Sequence, residues 1–217
     1  MNGLTKRLGI LVLLVAGLGM VGIAQASRGA AVAAPKVTAA QIAAGKTYGV
    51  QDAPIRIDEY SDFECPHCQD LYLNTLRPLI DEYVSSGKVY LVHHDFPLPM
   101  HPYARVAAYY ADAAAAVGRF AQVEQALFLH QNEWAATGKV EPIVAAALSP
   151  AKMKEVEALE QTSVVRNAVQ QDVLQGERLG IDETPTMYIT HNGQRTPIVG
   201  VVSYPILRRY IDALLHQ

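Results

Sequence analysis

Ile55-Arg56-Ile57-Asp58-Glu59-Tyr60-Ser61-Asp62-Phe63-Glu64-Cys65-Pro66-His67-Cys68 passes from an extended segment directly into two cysteines three positions apart. Ile55 to Tyr60 alternates at its start and reads as a strand that ends just before the cysteines. Beyond Pro66 the apolar positions Cys68, Leu71, Tyr72, Leu76, Leu79, Ile80 and Tyr83 recur at spacings of three and four. That spacing predicts one face of an amphipathic helix ending near Ser85-Ser86-Gly87. Pro66 suits the first helical turn, where no backbone N–H is needed. Pro78 should remove the bond to the Asn74 carbonyl and bend the helix. Val89 to His94 reads as a second strand, parallel to the first if the helix between them is a crossover. The cysteines thus fall at a strand-to-helix junction.

Further along, Phe96-Pro97-Leu98-Pro99-Met100-His101-Pro102 continues neither element and predicts a turn into a helical region. Tyr103 to Val117 is Ala-rich and stops at Gly118, and Phe120, Val123, Leu127 and Trp134 mark the face of a second helix. Shorter helices are predicted around Pro142–Leu148 and after Ser149-Pro150, then a longer one to Leu179 with Gly180 as its end signal. Thr186 to Thr190 and Thr196 to Val199 flank His191-Asn192-Gly193-Gln194, a strong hairpin signal. Ser203 and Pro205 open a last helix, whose Ile206, Tyr210, Ile211 and Leu214 are expected to pack on the sheet. The order predicts an α/β fold with a mixed sheet and a helical insertion after the second strand, an outline compatible with several folds.

The 217 residues, half of them hydrophobic, fit one domain with a proper core. At the start of the chain, Lys6 and Arg7 precede an apolar run from Leu8 to about Ile23, then Ala24-Gln25-Ala26. Residues 1–26 therefore read as a secretory signal with cleavage before Ser27, the alternative being an uncleaved membrane anchor. They carry two positive charges and no negative one, so their removal takes the formal charge from -3 to -5. A mildly acidic domain without a basic tract argues against nucleic acid as a partner. Residues 27–47 read as a flexible, Ala-rich lead to the first strand.

The chain has two cysteines, too few for a disulfide-stapled framework. At a helix start, Cys65 faces unsatisfied N–H groups and the positive end of the helix dipole, which stabilises its thiolate and makes it the nucleophile. Cys68, nearly one turn on, suits a resolving thiol. His67 adds a donor or a cation beside the thiolate. A purely structural disulfide is poor use of this spacing, since closing so short a loop stabilises by only roughly 2 kcal/mol before strain. Structural zinc would need two more ligands, with His93, His94 and His101 nearest downstream, and their spacing matches neither a finger nor a ribbon. Those histidines read as ordinary strand and loop residues, and neither a metal nor a cofactor is expected.

With Asp52-Ala53-Pro54-Ile55, Ser61-Asp62-Phe63-Glu64-Cys65-Pro66-His67-Cys68 and Thr184-Pro185-Thr186, the chain resembles the DsbA family from about Tyr48 to its C-terminus. The resemblance implies a thioredoxin-like fold over 48–217, with the helical insertion at about 102–179. It implies a cis Thr184-Pro185 bond packed against the cysteines, with a backbone edge to which an unfolded substrate pairs. Glu59 matches the buried carboxylate that the family places under the resolving cysteine, where it can relay a proton to or from Cys68; the alternative is a strand-end Glu in solvent. The activity implied is thiol-disulfide exchange in the periplasm on unfolded or reduced exported proteins, by a monomer. A membrane partner of the DsbB or vitamin-K-epoxide-reductase type would reoxidise it. Thr184 stands where DsbA carries Val, and Asp182-Glu183 where this branch has a Gly-containing approach. These departures keep open a reductase or isomerase of the same fold, and a non-catalytic chaperone or binding module is the alternative from another class.

Overall fold

The computed structural model describes residues 37–217, so the expected signal segment and residues 27–36 of the expected lead lie outside the described residues. Five strands form one mixed sheet: β1 (Thr47–Tyr48), β2 (Ile55–Ser61), β3 (Val89–Asp95), β4 (Thr186–His191) and β5 (Gln194–Val199), in the spatial order β1-β3-β2-β4-β5. β2 and β3 are parallel, with Glu59 opposite His93, and the remaining pairs are antiparallel. A helix joins the two parallel strands, as their direction requires. The β4–β5 hairpin turns on Asn192 and Gly193, both at positive φ (47° and 77°), the geometry for which Asn-Gly is favoured.

The flexible lead expected over 27–47 does not extend through its last residues. Residues 39–45 form a helix, α1 (Ala39–Gly45), which starts on a reciprocal capping box between Thr38 and Gln41 and buries Ile42 completely. β1 follows and pairs with β3. The Ala-rich composition hid this element because its anchors are Ile42 and Lys46, single residues that meet partners far along the chain.

The crossover helix α2 spans 66–84. It is α-helical at Pro66–Leu71 and Arg77–Leu79 and widens into π-helical turns at Tyr72–Leu76 and Ile80–Val84. The single bend expected at Pro78 is replaced by these wider turns on either side, such as the Arg77 N–H donating to the Tyr72 carbonyl, which absorb the missing donor without ending the helix.

Between β3 and β4 lies the helical insertion: α3 (Ala104–Ala116), α4 (Phe120–Leu129), α5 (Gln131–Ala135), α6 (Val140–Ala147), α7 (Pro150–Glu160) and α8 (Ser163–Arg178). The second helix expected from Phe120 through Trp134 is divided at His130, which lets Trp134 turn inward, fully buried, with its indole N–H on the Leu127 carbonyl at 2.8 Å. The last helix, α9 (Tyr204–Leu215), returns to the sheet. There it packs beside α2, where Tyr83 donates to Asp212 at 2.5 Å and Thr75 to the Val202 carbonyl at 2.7 Å.

Ile55, Ile57, Leu91 and Ile189 from the sheet share one core with Leu71 and Leu79 of α2 and with Leu207 and Ile211 of α9. Each such side chain contributes about 1.5–3 kcal/mol by leaving water. A second, smaller cluster of Tyr60, Phe96, Val173 and Ile181 lies under α8. Its approach depends on Gly176, where a Cβ would stand 2.5 Å from the Phe96 ring and 3.3 Å from Tyr60. The insertion therefore covers the end of β2 that leads to the cysteines, and Tyr60, Ser61, Asp62, Phe63 and Glu64 are all buried.

Candidate active site

Cys65 is the N-cap of α2 and has extended backbone angles (φ −76°, ψ 122°), while Pro66 occupies the first helical position. The turn is fixed by the Cys65 N–H donating to the Asp62 carbonyl at 3.0 Å and by the Gln69 N–H donating to the Cys65 carbonyl at 3.1 Å. Both cysteines are free thiols, and they sit in different surroundings. Cys65 is 5% exposed at the surface end of the helix, whereas Cys68 is fully enclosed. The Asp62 N–H points at the Cys68 Sγ from 3.4 Å.

The Thr184-Pro185 bond is cis, as the resemblance implied, and it brings the Thr184 carbonyl 3.5 Å from the Cys65 Sγ, which donates to it. Thr184 Oγ1 is buried and, among the described residues, has no hydrogen-bond partner. Once Cys65 ionises, its bond to the carbonyl is forfeited and the Thr184 hydroxyl is left to donate to the thiolate.

The two sulfurs titrate in opposite directions. The neighbouring Cys68 thiol is the largest influence on Cys65 and, with the Thr184 hydroxyl and the N–H groups of Cys68 and His67, brings the Cys65 thiol down to about 5 against the opposing effect of burial. Burial first, then the sulfur and charge of Cys65 and the charge of Glu59, pushes the Cys68 thiol well up. The helix start contributes as expected, but the strongest donor to the nucleophile is its own partner.

Of the residues singled out by sequence, Cys65, Pro66, Cys68, Thr184 and Pro185 meet at this junction. His67 lies in the turn with its side chain exposed. Among the described residues its imidazole makes no hydrogen bond, so the group it aims at Cys65 is its backbone N–H rather than the ring expected to act as donor or cation. Glu59 is 2% exposed, buried as the resemblance implied and not the solvent-facing strand end of the alternative. It stands opposite His93, with Oε2 3.2 Å from Nδ1.

The histidines also depart from the ordinary strand and loop residues expected. His93 and His94 are buried, and His94 pairs with Asp58 at 2.9 Å. His101 Nδ1 lies 2.7 Å from Asp62 Oδ2. Asp62 itself was not singled out, yet its carboxylate also accepts from the Glu64 and Leu98 N–H groups, at 2.7 and 2.8 Å, and so fixes the loop that carries Cys65. Burial raises the Asp62 carboxyl above its ordinary range despite these donors.

Gln131 was missed too. From the insertion, its buried amide nitrogen donates to the carbonyls of Phe63 at 2.7 Å and Cys65 at 3.0 Å. No local pattern marks it, because a lone Gln after His130 gains meaning only when α5 folds over the motif.

This fold and sequence have counterparts among known proteins. The family described as Thioredoxin matches residues 42–212. DsbA2 of Pseudomonas aeruginosa superposes with a TM-score of 0.61 at 26% identity, covering 78% of this chain and 93% of that one. The chain belongs to the thioredoxin family, as a DsbA-like member. A probable disulfide bond formation protein D of Bacillus anthracis is 24% identical over 152 residues, 68% of this chain and 70% of that protein. The Na(+)/H(+) antiporter NhaA 1 of Mycolicibacterium gilvum is 31% identical over 158 residues, 69% of this chain. This DsbA-like chain spans only 24% of that antiporter's length, and 13% of the length of the NhaA 3 antiporter of Salinispora tropica. Among the described residues, no helix is long and apolar enough to cross a membrane.

Proposed function

We propose that the protein is a thiol-disulfide oxidoreductase that oxidises pairs of thiols in unfolded or reduced exported proteins in the periplasm. The observation that carries this reading is the opposite treatment of the two sulfurs. Cys65 is held near the surface as a ready thiolate, while Cys68 is enclosed three residues away. Stabilising the Cys65 thiolate stabilises the reduced enzyme, which makes its disulfide an oxidant.

In the oxidised enzyme a substrate thiolate attacks Cys65 Sγ, the Cys65–Cys68 bond breaks, and Cys68 leaves with the electron pair and takes up a proton. A second substrate thiolate then attacks the substrate sulfur of the mixed disulfide and Cys65 leaves as its thiolate. The substrate gains a disulfide and the enzyme keeps two thiols. Glu59, buried behind Cys68, is the group proposed to pass the proton to or from it. Thr184 and Pro185 are proposed to present the backbone edge against which the extended substrate lies. A membrane partner of the DsbB or vitamin-K-epoxide-reductase type would reoxidise the pair, and residues 1–26 would direct export.

The second reading is a reductase or isomerase held reduced by a membrane donor, and it rests on Thr184, which stands before the cis proline where DsbA carries Val. Equilibration of the pair with glutathione buffers, read by thiol trapping, decides between them. A potential close to the roughly −120 mV of DsbA supports the oxidase, and one near the roughly −270 mV of thioredoxin overturns it.

A further inference from the structure

Glu59 and His93 face each other across β2 and β3, and Glu124 reaches the same point from α4. One ligand-type atom from each lies within 4.8 Å of the others, and all three residues are buried. We infer that Glu59, His93 and Glu124 form a site for one divalent transition-metal ion of the zinc class, which when filled takes Glu59 out of the proton relay to Cys68.

The distances fit a shared ligand better than they fit hydrogen bonds. His93 Nδ1 lies 3.2 Å from Glu59 Oε2 and 3.3 Å from Glu124 Oε1. These are close to about 3.3 Å, the edge of a tetrahedron whose arms are the roughly 2.0–2.1 Å of zinc bonds to imidazole nitrogen and carboxylate oxygen. Yet neither carboxylate sits where a ring N–H on Nδ1 would donate. Among the described residues His93 Nδ1, His93 Nε2 and Glu59 Oε1 have no hydrogen-bond partner, although His93 is 1% and Glu59 2% exposed. Leaving such groups unpaired in a closed core is costly, and an ion between them would satisfy both sides at once.

The surroundings have the form of the outer support that a metal site needs. A ligating imidazole commonly has its second nitrogen beside a carboxylate, and Asp95 Oδ1 lies 3.5 Å from His93 Nε2, with Asp95 in turn held by Lys46 at 2.6 Å. The Tyr48 hydroxyl donates to the other oxygen of Glu124. Phe63 stacks on the His93 ring at 5.2 Å and Phe120 meets it at 5.1 Å, so the ring is held in place. Two carboxylates and a neutral imidazole exactly balance a doubly charged ion, and the mixed nitrogen-oxygen set suits zinc and its neighbours rather than calcium or magnesium. The inference does not depend on the direction in which the cysteines exchange.

The test uses the full chain with Cys65 and Cys68 oxidised to the disulfide, so that no thiol competes for the ion. It is produced in zinc-supplemented medium, and a second portion is refolded in Co2+, which admits the ion before the core closes. After desalting, one metal ion per chain is expected, together with a cobalt d–d spectrum lacking a thiolate charge-transfer band and a thermal midpoint above that of protein refolded in EDTA. Glu124→Gln and His93→Gln should each abolish retention, and Asp95→Asn should weaken it about 10–100-fold. His130→Gln, which removes the exposed His130–Glu133 pair, should leave it intact. No retained metal in the unsubstituted chain, retention unchanged in Glu124→Gln, or loss in His130→Gln overturns the site. Should His93→Gln fail to fold, Glu124→Gln and the cobalt spectrum decide alone.

Discussion

Cys65 and Cys68 are three residues apart on one helix, yet one sulfur lies at the surface end with a thiol near pKa 5 and the other is enclosed with its thiol pushed far up. The same covalent group is tuned in opposite senses by position within a single turn. At the mouth, donors converge on the sulfur: the Cys68 thiol, the Thr184 hydroxyl and two N–H groups. On the inner side, desolvation acts first and the Glu59 charge adds to it. An asymmetric dithiol thus needs no different chemistry at its two ends, only a helix start that opens outward and a core that closes behind.

The largest effect should come from removing the mouth. Cys65→Ser is expected to bring oxidation of a reduced peptide to the uncatalysed rate, while Cys68→Ala, offered a peptide disulfide for Cys65 to attack, should accumulate a mixed disulfide visible by mass. If both variants behave alike, the two sulfurs are equivalent and the contrast fails. Next in size is the frame of the mouth. Gln131→Leu leaves the Phe63 carbonyl without its donor and removes one of the two on the Cys65 carbonyl, which should cost about 1–3 kcal/mol in urea unfolding. An unchanged midpoint would show that the insertion does not hold the motif.

A smaller effect sharpens the contrast itself. Since the Cys68 thiol is the leading influence on Cys65, Cys68→Ala should move the pH midpoint of Cys65 alkylation from about 5 toward the free-thiol range. A midpoint that stays near 5 would assign the whole effect to Thr184 and the helix start.

A last effect is on stability against pH. The Cys65 thiol is lower in the folded than in the unfolded chain, so between about 5 and roughly 8.5 the unfolded state binds more protons. The stability of the reduced protein relative to the oxidised one should therefore rise with pH across that window, and be lost as pH falls through about 5. Cys68, shifted the other way, makes the folded state the better proton binder above roughly 8.5, so the advantage should decline there. Thermal midpoints of both redox forms across this range check the sign, and a gap that stays flat with pH would contradict the opposite shifts.

Much of the fold could be read locally. The strand before the cysteines, the crossover helix, the Asn-Gly hairpin and the last helix with Pro205 in its first turn each depend on residues within one or two turns, where periodicity and turn chemistry act. Thr38 and Gln41 also spelled a capping box that the Ala-rich composition masked. The π-helical turns around Pro78 and the break at His130 were not legible, because both adjust a helix to what it packs against.

What the sequence by itself determined is that a dithiol stands at the start of a helix after a strand, since that requires only the Cys-Pro-His-Cys spacing and the apolar pattern on either side. Only the tertiary structure decided which groups surround the sulfurs and which charges go inside. Thr184 reaches Cys65 from 119 positions away, and Lys46 gathers Asp95, Asp112 and Asp172 from as far as 126. Burial and the direction of a titration depend on the solvent and charges around a group, and these are brought together by chain closure rather than by neighbours in sequence.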